Sequence, residues 1–169
     1  MKQAVVALGS NLGDRFGYLQ HAVQEIGKNP EITIDEISSV YETEAIGGPE
    51  NQEDYLNAVM VVSTTLAPEE LLQALHDIEN QAGRVRTSHH GPRTLDLDLI
   101  DYEGFTSTAL DLVVPHPRAH ERAFVLIPLA EIAPEWKLNG EVLSQDLLDS
   151  VTSQAITLYA DLQLSSDQL

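Results

Sequence analysis

The two residues with the clearest potential for chemistry are the aspartates of the segment TLDLDLI (94–100). Asp96 and Asp98 are two positions apart and alternate with leucines. In a strand they would project from one face, about 7 Å apart along the chain. Their charges repel each other unless a cation compensates them, and Mg²⁺ accepts one or two protein carboxylates, with its other ligands from water and substrate phosphates. The alternative is an exposed face on which each aspartate pairs with an arginine, and the short pattern alone favours that alternative.

Five arginines close to this pair in the sequence bear on the choice between a metal site and an exposed strand face. The chain carries 9 Lys and Arg against 27 Asp and Glu, a formal net charge of −18. Five of the basic residues are Arg84, Arg86, Arg93, Arg118 and Arg122. Guanidinium groups bind phosphate with two parallel hydrogen bonds, so this cluster indicates an anionic ligand, although pairing with neighbouring acids fits the spacing equally well. Metal-binding acids beside arginines are what phosphoryl transfer requires.

Other nucleotide and metal motifs are absent from the sequence. The segment GSNLGDR (9–15) contains no Lys and is not a P-loop, and neither G-x-G-x-x-G nor H-E-x-x-H occurs. The adjacent His89 and His90 have poor chelating geometry, which favours loop residues over zinc ligands. The absence of cysteine excludes disulfides and thiolate metal sites.

Length and charge limit the class of protein. A chain of 169 residues is expected to form a single domain, residues 1–169. No apolar run approaches the roughly 20 residues of a membrane-spanning helix, and the N-terminus turns polar too soon for a secretory signal, so we expect a cytoplasmic protein. The net charge of −18 argues against binding to nucleic acid or to an anionic membrane. We expect a monomer or a weak homo-oligomer.

The hydrophobic pattern predicts the elements that must position these residues. Strands are predicted at 3–9, 31–46, 55–66 and 94–104, and helices at 14–27, 68–83, 119–132 and 144–153. Pro128 predicts a kink or a split in the third helix, and residues 154–169 are weakly patterned. The order β-α-β-β-α-β is that of a ferredoxin-like α+β sandwich, an antiparallel sheet with helices on one face. Residues 138–169 form a C-terminal extension.

Six segments together resemble one enzyme family. GPRTLDLDLI (91–100) resembles the signature of the 6-hydroxymethyl-7,8-dihydropterin pyrophosphokinases, enzymes of the folate pathway. The other matches follow the family's order: ALGSNLGDR at 7–15, YETEAIG at 41–47, DYLNAV at 54–59, IENQAGRVR at 78–86 and VPHPRAHERAFVLIPLAEIAPEW at 114–136. The resemblance covers residues 3–137, and ordered matches of this kind are far more specific than a pair of aspartates.

The resemblance implies a reaction. Pyrophosphate would be transferred from ATP to the hydroxymethyl group of the pterin, with release of AMP. Two Mg²⁺ ions would lie between Asp96, Asp98 and the ATP phosphates. One would bridge the α- and β-phosphates and the other the β- and γ-phosphates, close to the pterin hydroxyl. Positioning and electrostatics would supply most of the acceleration.

The resemblance also implies the remaining site residues. The catalytic set is Arg84, Arg93, Asp96 and Asp98. The ATP-binding set is Glu79, Arg84, Arg86, His89, Arg93, Leu99, His116 and Arg122. The pterin-binding set is Thr43, Glu44, Ile46, Tyr55, Asn57, Asp96 and Phe124. Tyr55 and Phe124 would sandwich the ring, while Asn57 and the backbone between Thr43 and Ile46 would contact its edge.

The chain departs from the family pattern in its positive charges. His89 and His90 stand where the family often has Arg-Trp, and Asp111 replaces a basic residue. His76 stands at a helix position that is often Gln. Because these changes remove or weaken positive charge near the triphosphate, we expect weaker ATP binding than in arginine-richer relatives.

Several alternatives remain from the residues alone. Strand-edge packing is favoured for Tyr55 and Asn57, and core packing for Phe124. His116 would otherwise be a turn residue, and Glu79 a solvated helix end. For the whole chain, one alternative is a ferredoxin-like metabolite-binding module or an inactive paralogue without turnover. Another is a different metal-dependent nucleotidyl- or phosphotransferase that uses the same pair of aspartates.

Overall fold

An antiparallel sheet forms the centre of the fold. The computed structural model describes residues 1–44, 54–83, 94–138, 140–143, 145–151 and 154–163. The strands are β1 (Lys2–Ser10), β2 (Ile32–Ile37), β3 (Ser39–Thr43), β4 (Tyr55–Thr64), β5 (Asp96–Tyr102), β6 (Ser107–Ala109), β7 (Leu112–Val114), β8 (Lys137–Leu138), β9 (Glu141–Val142) and β10 (Ile156–Gln163). The helices are α1 (Arg15–Lys28), α2 (Pro68–Gln81), α3 (Ala123–Ile132) and α4 (Gln145–Asp149), with a 3-10 turn at Ala119–Glu121 before α3.

Among the described residues, six strands share one sheet, and every pair of neighbours in it is antiparallel. The order is β10-β3-β4-β1-β5, and β2 pairs with the second half of β4. β6 pairs with β7 and β8 with β9 in separate two-stranded sheets. β1 therefore lies between β4 and β5, the two strands that carry Asn57 and the paired aspartates.

Helices cover both faces of this sheet, so the predicted one-sided arrangement is wrong. β1 is apolar on both sides because its two faces belong to different cores. Ala4, Val6 and Leu8 pack with α1 and α2, whereas Val5 and Ala7 pack with α3. The sequence prediction missed the second core because α3 follows the β-α-β-β-α-β unit, and the order of that unit does not specify what covers its other face.

The long strand predicted at 31–46 is divided at Ser38. The Ser38 hydroxyl accepts a hydrogen bond from the Val59 backbone N–H at 2.9 Å and donates one to the Ser39 carbonyl at 2.8 Å. A side chain thus takes a position that the backbone ladder would otherwise fill, as in a β-bulge. β2 and β3 consequently pair with different halves of β4, and β3 lies against the half where Asn57 is found.

The C-terminal extension contributes a strand to the sheet, where the sequence pattern predicted none. β10 pairs with β3, with Ile156 opposite Thr43 and Leu158 opposite Tyr41. Apolar residues at 156, 158, 160 and 162 carry the strand signal. The segment lacks the Gly, Pro or Asn residues that usually mark the ends of a strand, so its pattern is weak.

The third predicted helix starts later than expected and is not split. α3 passes through Pro128, and Val125, Leu126 and Leu129 are buried along it. This apolar packing offsets the hydrogen bond that proline cannot donate. α4 occupies only part of the predicted 144–153. Within the described ranges, no helix is long and apolar enough to cross a membrane.

Beyond the paired aspartates, β5 buries another carboxylate. Asp101 is 9% exposed. It accepts hydrogen bonds from the Tyr102 backbone N–H and from Trp136 Nε1, both at 2.9 Å. Burial raises the pKa of Asp101, although both hydrogen bonds act in the opposite direction. The folded protein therefore holds a proton at Asp101 at a higher pH than the unfolded chain does.

We predict that Asp101 makes the folded state less stable as the pH rises. Because the folded pKa lies above the unfolded one, the protonated carboxyl favours the folded state, and this contribution is lost as the pH rises through the folded pKa. Asp101→Asn removes the ionisation. Between about pH 4 and pH 7, the unfolding free energy of the wild type in urea should therefore fall relative to that of the variant. Fluorescence of Trp136, the only tryptophan, follows the transition, and a difference independent of pH would contradict the prediction.

Candidate active site

The paired aspartates lie on one face at the start of β5. Asp96 is opposite Gly9 of β1, and Asp98 is opposite Ala7. Both aspartates are partly exposed, whereas Leu97 between them is 2% exposed. The alternation predicted from the sequence therefore holds, and β5 presents two carboxylates on the same side of the sheet.

Gly9 brings Asp96 and Asn57 into one row across the sheet. It is opposite Asp96 on β5 and opposite Asn57 on β4. A Cβ at Gly9 would lie 3.0 Å from Asn57 Oδ1 and 3.5 Å from Tyr55 Cδ1. The absence of a side chain at Gly9 therefore lets Asn57 and Tyr55 lie directly over the backbone of β1. Its signal in the sequence is a glycine at the end of an apolar strand, which often marks a close approach of other groups.

The predicted pterin-binding residues of β3 and β4 lie together. Asn57 Nδ2 donates a hydrogen bond to Thr43 Oγ1 at 2.6 Å, and the two residues are 6% and 7% exposed. Thr43 is opposite Tyr55 in the last pair of the β3–β4 ladder. Glu44 follows directly and is exposed. These four residues therefore border one corner of the sheet, next to the row that contains Asp96.

Arg122 and Phe124 approach the same face from the start of α3. The Arg122 guanidinium carbon lies 5.3 Å from the centroid of the Phe124 ring, a cation–π contact. Burial lowers the pKa of Arg122, while the charges of Asp98 and Asp96 act to raise it. The guanidinium is therefore close enough to the paired carboxylates to interact with both. Phe124 is only partly buried against the α3 core, so part of its ring remains available.

His116 lies close to Arg122 and Asp96, and its ring is neutral. Its backbone N–H donates to the Ile100 carbonyl of β5 at 2.8 Å. Burial lowers the pKa of His116, the charge of Arg122 lowers it further, and Asp96 acts in the opposite direction. His116 Nδ1 accepts a hydrogen bond from the Arg118 backbone N–H at 3.3 Å. The proton of the neutral ring is therefore on Nε2, which can donate to an anionic ligand.

Glu79 supports β5 from α2. It is 2% exposed, and its Oε2 accepts a hydrogen bond from the Leu97 backbone N–H at 2.7 Å. The alternative of a solvated helix end is therefore wrong for Glu79. Because Leu97 lies between the paired aspartates on an edge strand, this bond fixes the backbone that carries both. Leu99, predicted to contact ATP, is 5% exposed within the core, which leaves mainly its backbone for such a contact.

Five predicted site residues lie outside the described residues: Ile46, Arg84, Arg86, His89 and Arg93. In the part of the chain that the structure does describe, no group of three or more His, Cys, Asp or Glu is arranged to hold a metal ion. A cation at Asp96 and Asp98 would take its further ligands from water and substrate. Two carboxylates on one partly exposed face fit Mg²⁺, which usually binds one or two protein carboxylates and keeps water or substrate phosphates as its other ligands.

Comparison with known proteins identifies related sequences. The family model 7,8-dihydro-6-hydroxymethylpterin-pyrophosphokinase (HPPK) matches residues 5–134. A Bacillus subtilis protein named 2-amino-4-hydroxy-6-hydroxymethyldihydropteridine pyrophosphokinase is 45% identical over 132 residues, which cover 78% of each chain. A Synechocystis protein of the same name is 43% identical over 155 residues, 90% of this chain and 78% of its own.

A solved structure agrees in fold. Plasmodium falciparum HPPK-DHPS, crystallised as a triple mutant with pteroate, superposes with a TM-score of 0.69 at 16% sequence identity. The match covers 90% of this chain, which spans 43% of the longer Plasmodium chain. At this identity the likeness concerns the fold alone, a mixed α/β structure with an antiparallel sheet.

The environment of His116 predicts opposite effects of two substitutions on its titration. Arg122→Gln removes a nearby positive charge and should raise the pKa of His116. Asp96→Asn removes the opposing negative charge and should lower it further. The chemical shift of the His116 ring protons, followed by NMR against pH in metal-free protein, measures both effects. A change of the His116 pKa in the same direction in both variants would show that the charges of Arg122 and Asp96 do not determine it.

Proposed function

Because this chain belongs to the 7,8-dihydro-6-hydroxymethylpterin-pyrophosphokinase family, we propose that its pyrophosphoryl transfer takes place on the sheet face that carries Asp96 and Asp98. The chain is an enzyme of folate biosynthesis with ATP as its co-substrate. In the reaction, the hydroxymethyl oxygen of 6-hydroxymethyl-7,8-dihydropterin forms a bond to the β-phosphorus of ATP. The bond from that phosphorus to the α–β bridging oxygen breaks, AMP leaves, and the hydroxyl proton is lost.

The observation that carries the proposed location is the row Asn57–Gly9–Asp96. It places an amide suited to the edge of a heterocycle beside a carboxylate suited to a cation. Gly9, which has no side chain, lies between them on β1. A substrate that joins a polar ring to a reacting oxygen could therefore extend from Asn57 towards Asp96.

The pterin would bind at the corner formed by β3 and β4. Asn57 offers Oδ1 to the ring edge while its Nδ2 is held by Thr43. Tyr55 and Phe124 would lie against the two ring faces, where aromatic side chains stack well. The backbone from Thr43 through Glu44 to Ile46 would supply further contacts to the ring edge.

The phosphates would lie along β5 and the start of α3. Asp96 and Asp98 would hold two Mg²⁺ ions. When bound, these ions would neutralise phosphate charge and lower the pKa of the pterin hydroxyl. Arg122 and the Nε2–H of His116 would bind phosphate oxygens. The rest of the ATP-binding set comprises Glu79, Arg84, Arg86, His89, Arg93 and Leu99, with Arg84 and Arg93 stabilising the charge that develops during transfer.

Three further features belong to the proposal. β1, the β2–β3 pair, β4 and β5, with α1 and α2, follow the element order and antiparallel pairing of a ferredoxin-like core, to which α3 and β10 are additions. The acidic, cysteine-free composition is compatible with a cytoplasmic location and with small-molecule substrates. A monomer or a weak homo-oligomer is the proposed state.

Release of AMP from ATP and Mg²⁺, measured with and without 6-hydroxymethyl-7,8-dihydropterin, tests the function. We predict that AMP release depends on the pterin. Asp98→Asn keeps the shape of the side chain and removes its charge, so it should lower kcat about a thousandfold, the effect of losing several kcal/mol of metal-ion catalysis.

Asp35→Asn is the matched control, since Asp35 is an exposed strand aspartate on β2 of the same sheet. This variant should keep wild-type activity. Pterin binding without AMP release by the wild type would overturn the proposal and indicate a binding protein. Equal activity of wild type and Asp98→Asn would show that Asp98 does not belong to the metal site.

A further inference from the structure

Arg15 joins three parts of the chain behind the proposed pterin corner. It is the first residue of α1, and it belongs to the segment ALGSNLGDR, for which the resemblance implied no ligand contact. Its Nη1 donates to Glu42 Oε2 at 2.9 Å and to the Asp54 carbonyl at 2.8 Å. Its guanidinium carbon also lies 5.8 Å from the ring centroid of Tyr159 on β10.

These bonds bracket the end of the β3–β4 ladder. The last two pairs of that ladder are Glu42 with Leu56 and Thr43 with Tyr55. Arg15 holds the side chain of Glu42 on one strand and the carbonyl of Asp54, just beyond the last pair, on the other. The final pairs of a ladder open most easily, because fewer contacts restrain them. A bridge across that end keeps Thr43 and Tyr55 in register.

The ion pair between Arg15 and Glu42 is expected to be stronger than a typical surface ion pair. The Arg15 and Glu42 side chains are 20% and 32% exposed, so solvent screens the pair less than it screens the exposed pair Lys28–Glu25, at 63% and 26%. Charge-assisted hydrogen bonds are about twice as strong as neutral ones. The planar guanidinium can also bind two acceptors while it lies over an aromatic ring, which an ammonium group cannot do equally well.

β10 completes this arrangement and gives the C-terminal extension a role. Tyr159 lies under Arg15 and stacks with Phe16, with 6.5 Å between ring centroids. β10 also pairs with β3. The extension therefore supports from outside the same strand end that Arg15 holds from α1.

We infer that Arg15 is a positioning residue that sets the affinity for the pterin by holding Thr43, Tyr55 and Asn57 in register, without contacting either substrate. This inference rests on the proposed function. Arg15 acts on the β3–β4 corner, whereas Asp96 and Asp98 lie on β5 and Arg122 lies at the start of α3. Loss of the bridge should therefore weaken pterin binding and leave ATP binding and the transfer step largely intact.

The test compares Arg15→Gln and Arg15→Lys with the wild type. Arg15→Gln should raise the pterin KM about tenfold, as expected for the loss of a partly buried charge-assisted bridge. The KM for ATP and kcat at saturating pterin should change by less than about twofold. Arg15→Lys keeps the charge, so its KM for the pterin should lie between those of the wild type and Arg15→Gln. Lys28→Gln, which breaks the exposed ion pair at the other end of α1, is the matched control and should behave as wild type.

Calorimetric titration with the pterin measures the same affinities without turnover. If the wild type binds the pterin but releases no AMP, the proposed function fails, while weaker binding by Arg15→Gln still supports the inference. Unchanged pterin affinity in Arg15→Gln and Arg15→Lys would overturn the inference alone. A parallel loss of pterin and ATP affinity would also overturn it, because it would indicate general destabilisation. Should Arg15→Gln not fold, Arg15→Lys gives the decisive comparison.

Discussion

The pairing of β1 with β4 on one side and β5 on the other is the constraint on which the site depends. It fixes Asn57, Gly9 and Asp96 in one row, although they are distant in sequence. β1 can occupy the centre because both of its faces are apolar and each meets a separate core. A slip of one residue would turn Asp96 towards the core and Leu97 towards the site. The hydrophobic alternation of β5 therefore fixes the site as well as the fold.

Hydrogen bonds to two glutamates support the site. Glu79 holds the backbone between the paired aspartates. Glu131 of α3 accepts hydrogen bonds from the Ser39 N–H and hydroxyl and from the Tyr41 hydroxyl, which fixes α3, and with it Arg122 and Phe124, against β3. These contacts give the polar face a rigid frame, which electrostatic catalysis requires because its groups must already be oriented when charge develops.

The sequence predicted most reliably the features that depend on the periodicity of polar and apolar residues within one element. Alternation predicted the shared face of Asp96 and Asp98, and helical periodicity located α1 and α2 to within a few residues. The second core could not be predicted from element order, and the break at Ser38 depends on a side-chain hydrogen bond to a distant strand. The burial of Glu79 also depends on tertiary packing, since an acid near a helix end is usually solvated.

Asp96 and Asp98 are proposed to hold together the cations that bind the triphosphate. The most direct measurement is anomalous diffraction from crystals grown with Mn²⁺ in place of Mg²⁺, the pterin, and an ATP analogue whose α–β bridging oxygen is a methylene group. We expect two manganese peaks within coordination distance of these carboxylates and of the phosphates, with the pterin ring beside Asn57. Manganese bound elsewhere, or phosphates distant from both aspartates, would contradict it.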